Sequence, residues 1–358
     1  MTPGRWAAEL DRRVGRWPAF RYDTTVRASL WLSVLVVAAL FGWGAWQRRW
    51  IADDGLIVLR TIRNLLAGNG PVFNAGERVE ANTSTVWTYL VYLGALVGGS
   101  VRLEYVVLAF ALVLSVLGVV FAMLGTGRLY APSLQGRRAL MLPAGALVYI
   151  AVPPARDFAT SGLENGLVLA YLGLLWWMLV CWSQAPRAYV PEPVSRGGAP
   201  AIRRHPIGPP PTPPPQPHGD VRFFDAALAF VAGLSVLVRP ELALIGGLAL
   251  VMMLISARDW RRRGLIVLAG GLVPVAYEIF RMGYYGLLFP GTALAKDASG
   301  SKWSQGFVYL ANFNEPYLLW APAILLAGLA GVVWVTRGRT RSVRRVTGDG
   351  RLARMVQS

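Results

Sequence analysis

Long apolar runs, separated by short polar and basic segments, dominate the chain from residue 28 onward. The runs cover residues 28–46, 86–97, 103–124, 139–152, 163–182, 223–238, 242–255, 265–280 and 317–335. Most of them approach the roughly 20 residues that a helix needs to cross a bilayer, whereas 86–97 and 139–152 are short. This pattern predicts an all-α fold, a polytopic transmembrane helical bundle with roughly eight to ten membrane helices.

Composition agrees with a membrane protein and argues against a soluble domain. Hydrophobic residues make up 54% of the 358 residues and charged residues only 15%, whereas soluble chains carry about a quarter charged residues. The first apolar run follows a basic stretch and is not followed by a small-residue cleavage site. We therefore interpret it as an uncleaved first span.

The net charge of +17 comes from arginines at the ends of the apolar runs. They include Arg12, Arg13, Arg16, Arg21 and Arg27 before the first run, residues 258–263 between two later runs, and residues 337–345 after the last. Basic residues that flank membrane spans are retained in the cytoplasm. The charge therefore indicates topology, and we expect a lipid bilayer and no nucleic acid as partner.

These rules divide the chain into five predicted parts. The first two are a basic cytoplasmic N-terminus over residues 1–28 and a transmembrane bundle over 29–182, whose first extracytoplasmic loop is 47–85. A cytoplasmic linker over 183–221 follows, which holds half of the 24 prolines and cannot pack as a helix. A second bundle over 222–336, with an extracytoplasmic loop over 282–316, precedes a basic cytoplasmic tail over 337–358.

Parity constrains the two short runs. With the N-terminus inside, an even number of crossings must separate the first extracytoplasmic loop from residues 156–164, yet three apolar runs lie between them. We expect residues 86–97 to form an interfacial or re-entrant helix, because residues 128–138 then fall on the cytoplasmic side.

Candidate chemistry is restricted to a few residue types. The single cysteine, Cys181, lies in an apolar run, and both histidines, His205 and His218, lie in the proline-rich linker. Asp53 and Asp54 directly follow the first span, where carboxylates are costly unless they are used or paired. Such a pair can act as a general base or bind a divalent cation. Alternatively, the residues cap a helix in a solvated loop.

Other polar residues are predicted on the same outer side. Arg239, Arg281, Lys296 and Lys302 can bind a phosphate, since arginine offers a bidentate fork and lysine a point charge. Carboxylates accompany them at Glu80, Glu164 and Glu241. Arginine and glutamate at adjacent span ends can also simply neutralise each other, and the sequence leaves both interpretations open.

Taken together, these segments resemble one family. The quoted motifs are Asp53-Asp54, Phe-Asn-Ala-Gly-Glu-Arg-Val-Glu over 73–80, Ser-Gly-Leu-Glu over 161–164, Arg-Pro-Glu over 239–241, and the stretch 281–303. In this order, from about residue 51 to 322, they resemble the C-type, polyprenyl-phosphate-dependent membrane glycosyltransferases. The likeness is greatest to the actinobacterial terminal β-1,2-arabinofuranosyltransferases. Such enzymes look longer, with further helices, a later motif containing histidine, and an extracytoplasmic C-terminal domain, so we expect this chain to be truncated.

The resemblance implies transfer of D-arabinofuranose from decaprenyl-phosphoryl arabinose to cell-wall arabinan, at the outer face of the plasma membrane. Asp53 would be the principal catalytic carboxylate with Asp54 as its partner. The implied substrate-binding residues are Glu80, Glu164, Arg239, Glu241, Arg281, Lys296 and Lys302, with the cations on the donor phosphate. No metal ligands are assigned, and a need for a divalent cation is left open. The alternative is a non-catalytic membrane protein, either a transporter or a truncated paralogue.

Overall fold

A computed structural model describes residues 23–98, 102–184, 220–292 and 301–332. Throughout these four ranges the regular structure is helical and no strand is present. The chain divides into two compact units, Met1–Lys296 and Asp297–Ser358, and each is described by itself. The predicted all-α class is thereby confirmed.

The described part of the first unit contains eleven α-helices. They are α1 Thr24–Gln47, α2 Asp53–Leu66, α3 Thr85–Gly98, α4 Leu103–Leu134, α5 Ala144–Ala151, α6 Pro153–Asp157, α7 Asn165–Ser183, α8 Asp220–Gly233, α9 Ser235–Val238, α10 Ala243–Ser256 and α11 Trp260–Tyr285. Short 3₁₀ turns follow α6, at Phe158–Thr160, and α9, at Pro240–Leu242.

Four of these helices, α1, α4, α7 and α11, are each long and apolar enough to cross a membrane. In the second unit, α12 (Trp303–Asn314) leads through a turn at Glu315–Tyr317 into α13 (Trp320–Val332). The two parts are bent by 89° and bring the number to five if they form one broken span. Three shorter apolar segments, Thr85–Gly98, Phe223–Val238 and Pro240–Ser256, complete the set. The chain is therefore a helical membrane protein, and a total of eight to ten crossings stays a prediction.

The apolar run 139–152 does not form one helix. Pro143 precedes α5, and Pro153 and Pro154 end it after eight residues, because proline lacks the N–H that an interior helical position donates. The chain from residue 141 to residue 157 nevertheless lies along α1, with a contact near each end. The Met141 N–H donates to Ser29 Oγ at 3.0 Å, and Arg48 pairs with Asp157 at 2.9 Å near the other end.

Helix α3 remains beside the beginning of α4. A Cβ atom at Gly94 would collide with the Phe110 ring and lie 3.2 Å from Val106. With 14 residues, α3 is about 21 Å long and shorter than the roughly 30 Å hydrocarbon core. This is the geometry expected of the interfacial or re-entrant helix, although its position in a membrane stays a prediction.

Helices α4 and α7 pack in parallel through glycines. Gly166 lies against Ala111, Gly173 against Gly118, and Gly125 against Trp176, each too close for an added Cβ atom. Small residues allow apolar helices to approach at backbone distance, which favours their association in a membrane. The parallel packing brings the beginnings of both helices, and the turn before α7, to one end of the bundle.

Candidate functional site

Asp53 and Asp54 are the first two residues of α2. Both are exposed, and the Asp54 N–H donates to Asp53 Oδ1 at 2.9 Å. Unsatisfied N–H groups at a helix N-terminus stabilise negative charge there. Across the four described ranges no cation forms an ion pair with either carboxylate. The pair is therefore open to a ligand.

The turn between α6 and α7 holds the beginning of α2 in place. The Ala52 N–H donates to the Ser161 carbonyl at 2.8 Å, and a Cβ atom at Gly55 would lie 3.0 Å from the same oxygen. Gly162 has a φ of +82°, and its carbonyl accepts from Trp87 Nε1 at 3.0 Å. Glycine is required at both positions, at Gly55 for close approach and at Gly162 for the left-handed backbone.

Glu164 lies two residues beyond this turn and is buried, with 4% of its surface exposed. Its Oε1 is 3.2 Å from Arg239 Nη1 and accepts a long, 3.5 Å hydrogen bond from Thr83. Arg239 also donates from Nε and Nη2 to the two oxygens of Glu241, each at 3.3 Å. One guanidinium therefore lies between a buried and an exposed carboxylate.

Electrostatics keep both members of the exposed pair ionised. Burial by itself would raise the pKa of Glu241, but hydrogen bonds from its own backbone and from Arg239, with the Arg239 charge, lower it. Burial likewise disfavours the Arg239 cation, while the bond to Glu241 and the charges of Glu164 and Glu241 raise the pKa of Arg239. The predicted neutralisation between adjacent span ends is thus present.

Glu80 and Arg281, both predicted to bind substrate, are instead joined to each other. They are 4% and 8% exposed, with Arg281 Nε donating to Glu80 Oε2 at 2.8 Å. Tyr277 donates to the other Glu80 oxygen at 2.7 Å, and Arg281 also pairs with Glu278. This network holds the end of the first loop against α11, so neither charge is free to receive a ligand.

A second set of contacts reinforces that attachment. The Tyr285 hydroxyl donates to the Pro71 carbonyl at 2.6 Å, and the Arg78 guanidinium lies 5.0 Å from the centre of the Tyr284 ring. Sequence reasoning missed Tyr277, Glu278 and Tyr285 in this role. A signal was present, because polar side chains at intervals of three and four residues share one face of a helix.

Of the two lysines predicted to bind substrate, only Lys302 lies within the described residues. Lys296 lies outside the described residues, and Lys302 is an exposed residue just before α12 in the second unit. Within the described ranges no group of three or more His, Cys, Asp or Glu residues could hold a metal ion. Among the described residues, Arg239 is a partly exposed cation that contacts two of the predicted site carboxylates, Glu164 and Glu241.

An open apolar cavity of about 350 Å³ lies between α3 and α11. Its lining residues are Tyr89, Leu272, Val273, Ala276, Tyr277 and Phe280. Tyr277 is also the residue that donates to Glu80, so the cavity ends beside the buried network.

Comparison with known proteins found two curated relatives, both named terminal beta-(1->2)-arabinofuranosyltransferase. The protein from Mycobacterium tuberculosis is 68% identical over 335 residues, which are 93% of this chain and 49% of the relative. The protein from Corynebacterium glutamicum is 47% identical over 329 residues, 89% of this chain and 43% of the relative. No family model and no solved structure matches.

The resemblance that the motifs indicated is therefore confirmed over about nine tenths of this chain. The chain spans about half the length of the curated relatives it matches.

Proposed function

We propose that this chain supplies the donor-binding and catalytic carboxylate face of an arabinofuranosyltransferase, a membrane glycosyltransferase. The enzyme would move D-arabinofuranose from decaprenyl-phosphoryl arabinose to the arabinan of arabinogalactan or lipoarabinomannan, on the outer face of the plasma membrane. One observation carries the proposal: Asp53 and Asp54 stand exposed at a helix N-terminus, fixed to the turn that leads to Glu164 and Arg239. The names of the two relatives support the transfer of an arabinofuranosyl group.

In this proposal Asp53 is the principal catalytic carboxylate. Its Oδ1 accepts the Asp54 N–H, which orients the carboxylate and leaves the other oxygen for a substrate. A base so placed can remove the proton of the acceptor hydroxyl. If donor and product are both β-linked, the configuration is retained, which requires either a carboxylate nucleophile in two steps or attack from the front face.

Arg239 would bind the donor phosphate. Its side chain is 38% exposed, whereas that of its partner Glu164 is 5% exposed. The guanidinium is thus anchored by a buried carboxylate and reaches solvent on the side where the exposed Glu241 contacts it. Lys296 and Lys302 would add point charges to the phosphate. Glu164 would orient Arg239, and the buried Glu80–Arg281 pair would position the first loop without touching the substrate.

The isoprenoid chain of the donor would lie in the cavity between α3 and α11. An isoprenoid needs an apolar surface that is open to the bilayer, and this cavity is open and lined mostly by apolar side chains. Its link through Tyr277 to Glu80 puts it next to the loop that carries the polar residues.

The test is a chimera in which this chain replaces the matching 335 residues of the M. tuberculosis relative. Membranes that contain the chimera would be incubated with radiolabelled decaprenyl-phosphoryl arabinose and a synthetic arabinan acceptor. We expect labelled product, and a loss of at least about 100-fold on Asp53→Asn, the scale of one general acid–base contribution. A chimera that inserts normally but transfers nothing would favour a non-catalytic membrane protein.

A further inference from the structure

The two carboxylates that hold Arg239 differ sharply in exposure. The Glu164 side chain is 5% exposed and contacts Nη1 at 3.2 Å. The Glu241 side chain is 69% exposed and occupies the opposite edge of the guanidinium, where Nε and Nη2 donate to its two oxygens. Glu164 is thus the buried partner of Arg239. Glu241 is its solvated partner and lies on the same short turn as Arg239.

The edge that Glu241 covers is the one that suits a phosphate. Two parallel N–H groups match two oxygens of a carboxylate or a phosphate equally well. Both distances to Glu241 are 3.3 Å, longer than the roughly 2.7–2.9 Å of a strong charge-assisted bond. A loose, exposed ion pair of this kind adds little stability and is readily exchanged for another anion.

Charge gives a second reason for exchange. Two carboxylates on one guanidinium leave the trio with a net charge of −1, and Asp53 and Asp54 carry further negative charge on the neighbouring segment. An anionic ligand would be repelled while Glu241 remains in place. Glu164 cannot leave instead, because its departure would strand a buried charge.

We propose that Glu241 is a displaceable occupant of the Arg239 fork, which leaves when a phosphate binds and returns when the product departs. This inference rests on the proposed function. In the reaction the bond from the anomeric carbon to the phosphate oxygen breaks, and its electron pair stays on the phosphate. The anomeric carbon bonds to the acceptor oxygen, whose proton goes to the base and then to solvent.

The charge of the ligand changes in that step. The donor is a phosphodiester with a single negative charge, whereas the product is a phosphomonoester with roughly −1.5 to −2 charges at neutral pH. Arginine alone would hold the product more tightly than the donor and delay its release. A carboxylate that competes for the same two N–H groups weakens the binding of the product. Glu241 therefore speeds product release and so favours turnover.

The experiment measures phosphate binding directly, without sugar transfer. The chain in nanodiscs would be titrated with farnesyl phosphate, a short isoprenoid phosphomonoester, and with neutral farnesol. We expect Glu241→Gln to bind farnesyl phosphate more tightly, by up to about fivefold, the scale of one exposed ion pair. Farnesol binding should not change. Arg239→Lys, which keeps the charge but loses the fork, should weaken farnesyl phosphate binding.

A matched control is available in Glu104, which forms an exposed ion pair with Arg63 near the beginning of α4. Glu104→Gln removes the same charge and should leave the affinity unchanged. Weaker phosphate binding by Glu241→Gln would make Glu241 a fixed support of Arg239 and overturn the proposal. An equal gain in affinity in Glu104→Gln would also overturn the proposal, because the effect would then be one of general charge. An equal gain in farnesol binding would overturn it too, because the effect would then come from apolar contact.

Failure of this inference can be distinguished from failure of the proposed function. If wild type and Glu241→Gln both fail to bind farnesyl phosphate, the fork is not a phosphate site, whatever the chimera does. Where the chimera transfers sugar, Glu241→Gln should lower kcat and strengthen inhibition by decaprenyl phosphate without raising KM. A merely structural residue would not produce that combination.

Discussion

The Ala52 N–H donates a 2.8 Å hydrogen bond to the Ser161 carbonyl, and this contact joins the two segments that bear the candidate carboxylates. Asp53 follows Ala52 directly, and Glu164 lies three residues after Ser161. The relative position of Asp53 and the Arg239–Glu164 pair therefore depends on one turn, whose conformation is set by Gly162.

Replacement of Gly162 tests that dependence. Gly162→Ala forces a non-glycine residue into φ +82° and puts a Cβ atom 2.9 Å from Ile51 Cγ2. We expect a lower melting temperature and a loss of transfer, because the left-handed backbone costs about 1–2 kcal/mol and overpacking about 1–3 kcal/mol more. Thermal melting in detergent, followed by circular dichroism, measures the change.

Gly68 provides the matched control. It has a nearly identical φ of +79°, but nothing lies within 4 Å of an added Cβ atom. Gly68→Ala should show the backbone cost alone and retain transfer. Equal destabilisation by the two substitutions would mean that the contact with Ile51 does not matter.

The two aspartates should differ in importance. We expect Asp53→Asn to abolish transfer in the chimera and Asp54→Asn to reduce it less, since Asp54 acts as the partner. Glu77→Gln is the control, because Glu77 is an exposed carboxylate of the first loop that accepts from Asn74. Initial rates with radiolabelled donor decide the matter, and wild-type rates with Asp53→Asn would reduce the pair to a structural role.

Glu80 should matter for stability far more than an exposed glutamate. Glu80→Gln removes the buried carboxylate that accepts from Arg281 and Tyr277, and breaking a buried pair costs about 3–5 kcal/mol. Glu104→Gln breaks an exposed pair, worth about 0–1 kcal/mol. Denaturant unfolding of both variants in mixed micelles compares them, and a small effect of Glu80→Gln would exclude the network as the attachment of the first loop.

The apolar runs gave most of the fold, because length and hydropathy determine which segments can be membrane helices. The run 28–46 became the helix Thr24–Gln47, and 163–182 became Asn165–Ser183. The run 139–152 behaved differently because Pro143 interrupts it and Pro153 and Pro154 directly follow it. Such breaks are local and can be recognised from sequence.

The site was predictable only in part. The neutralisation of Glu164 by Arg239 was one of the two alternatives, since the span ends that carry them were predicted on one side. The Glu80–Arg281 pair was not predictable, because its members are separated by 201 positions and meet only through the packing of the first loop on α11. The residue types of Glu80 and Arg281 suggested ligand binding. Their burial and their contact with each other instead favour a role in positioning the first loop.

The pH dependence of phosphate binding follows from Glu241. Its pKa lies below the ordinary 4.5, so this carboxylate competes in its charged form at neutral pH and stops competing as the pH falls through that lowered pKa. Arg239, which faces Glu241, stays charged over the same pH range because its pKa is raised. Glu164 is buried and contacts Arg239 from the other side. Farnesyl phosphate itself takes up a proton near pH 6, so the gain from Glu241→Gln should become smaller there, persist down to about pH 5, and be lost only below 4.5. A gain that disappears completely near pH 6 would implicate another group.

Membrane topology connects the site to its substrates. Helices α4 and α7 both begin at the end of the bundle that carries Asp53 and Glu164, and both finish at the end where Gln184 donates to the Arg128 carbonyl. Arg258 and Arg261–Arg263 lie around the beginning of α11, whose far end contacts the first loop. The end that carries these arginines is therefore rich in basic residues, although Asp225 pairs with Arg262 there. An excess of basic residues favours a cytoplasmic position for that end.

Cysteine labelling tests that orientation in a Cys181→Ser background. We expect Asp54→Cys to react with a membrane-impermeant maleimide on intact cells, because Asp54 is exposed at the predicted outer end. Gly208→Cys, in the predicted cytoplasmic linker, should react only after permeabilisation. The same maleimide must label both positions in detergent, which controls for buried thiols. Labelling of Gly208→Cys from outside would invert the bundle and put Asp53 in the cytoplasm, away from a donor and acceptor that meet on the outer face.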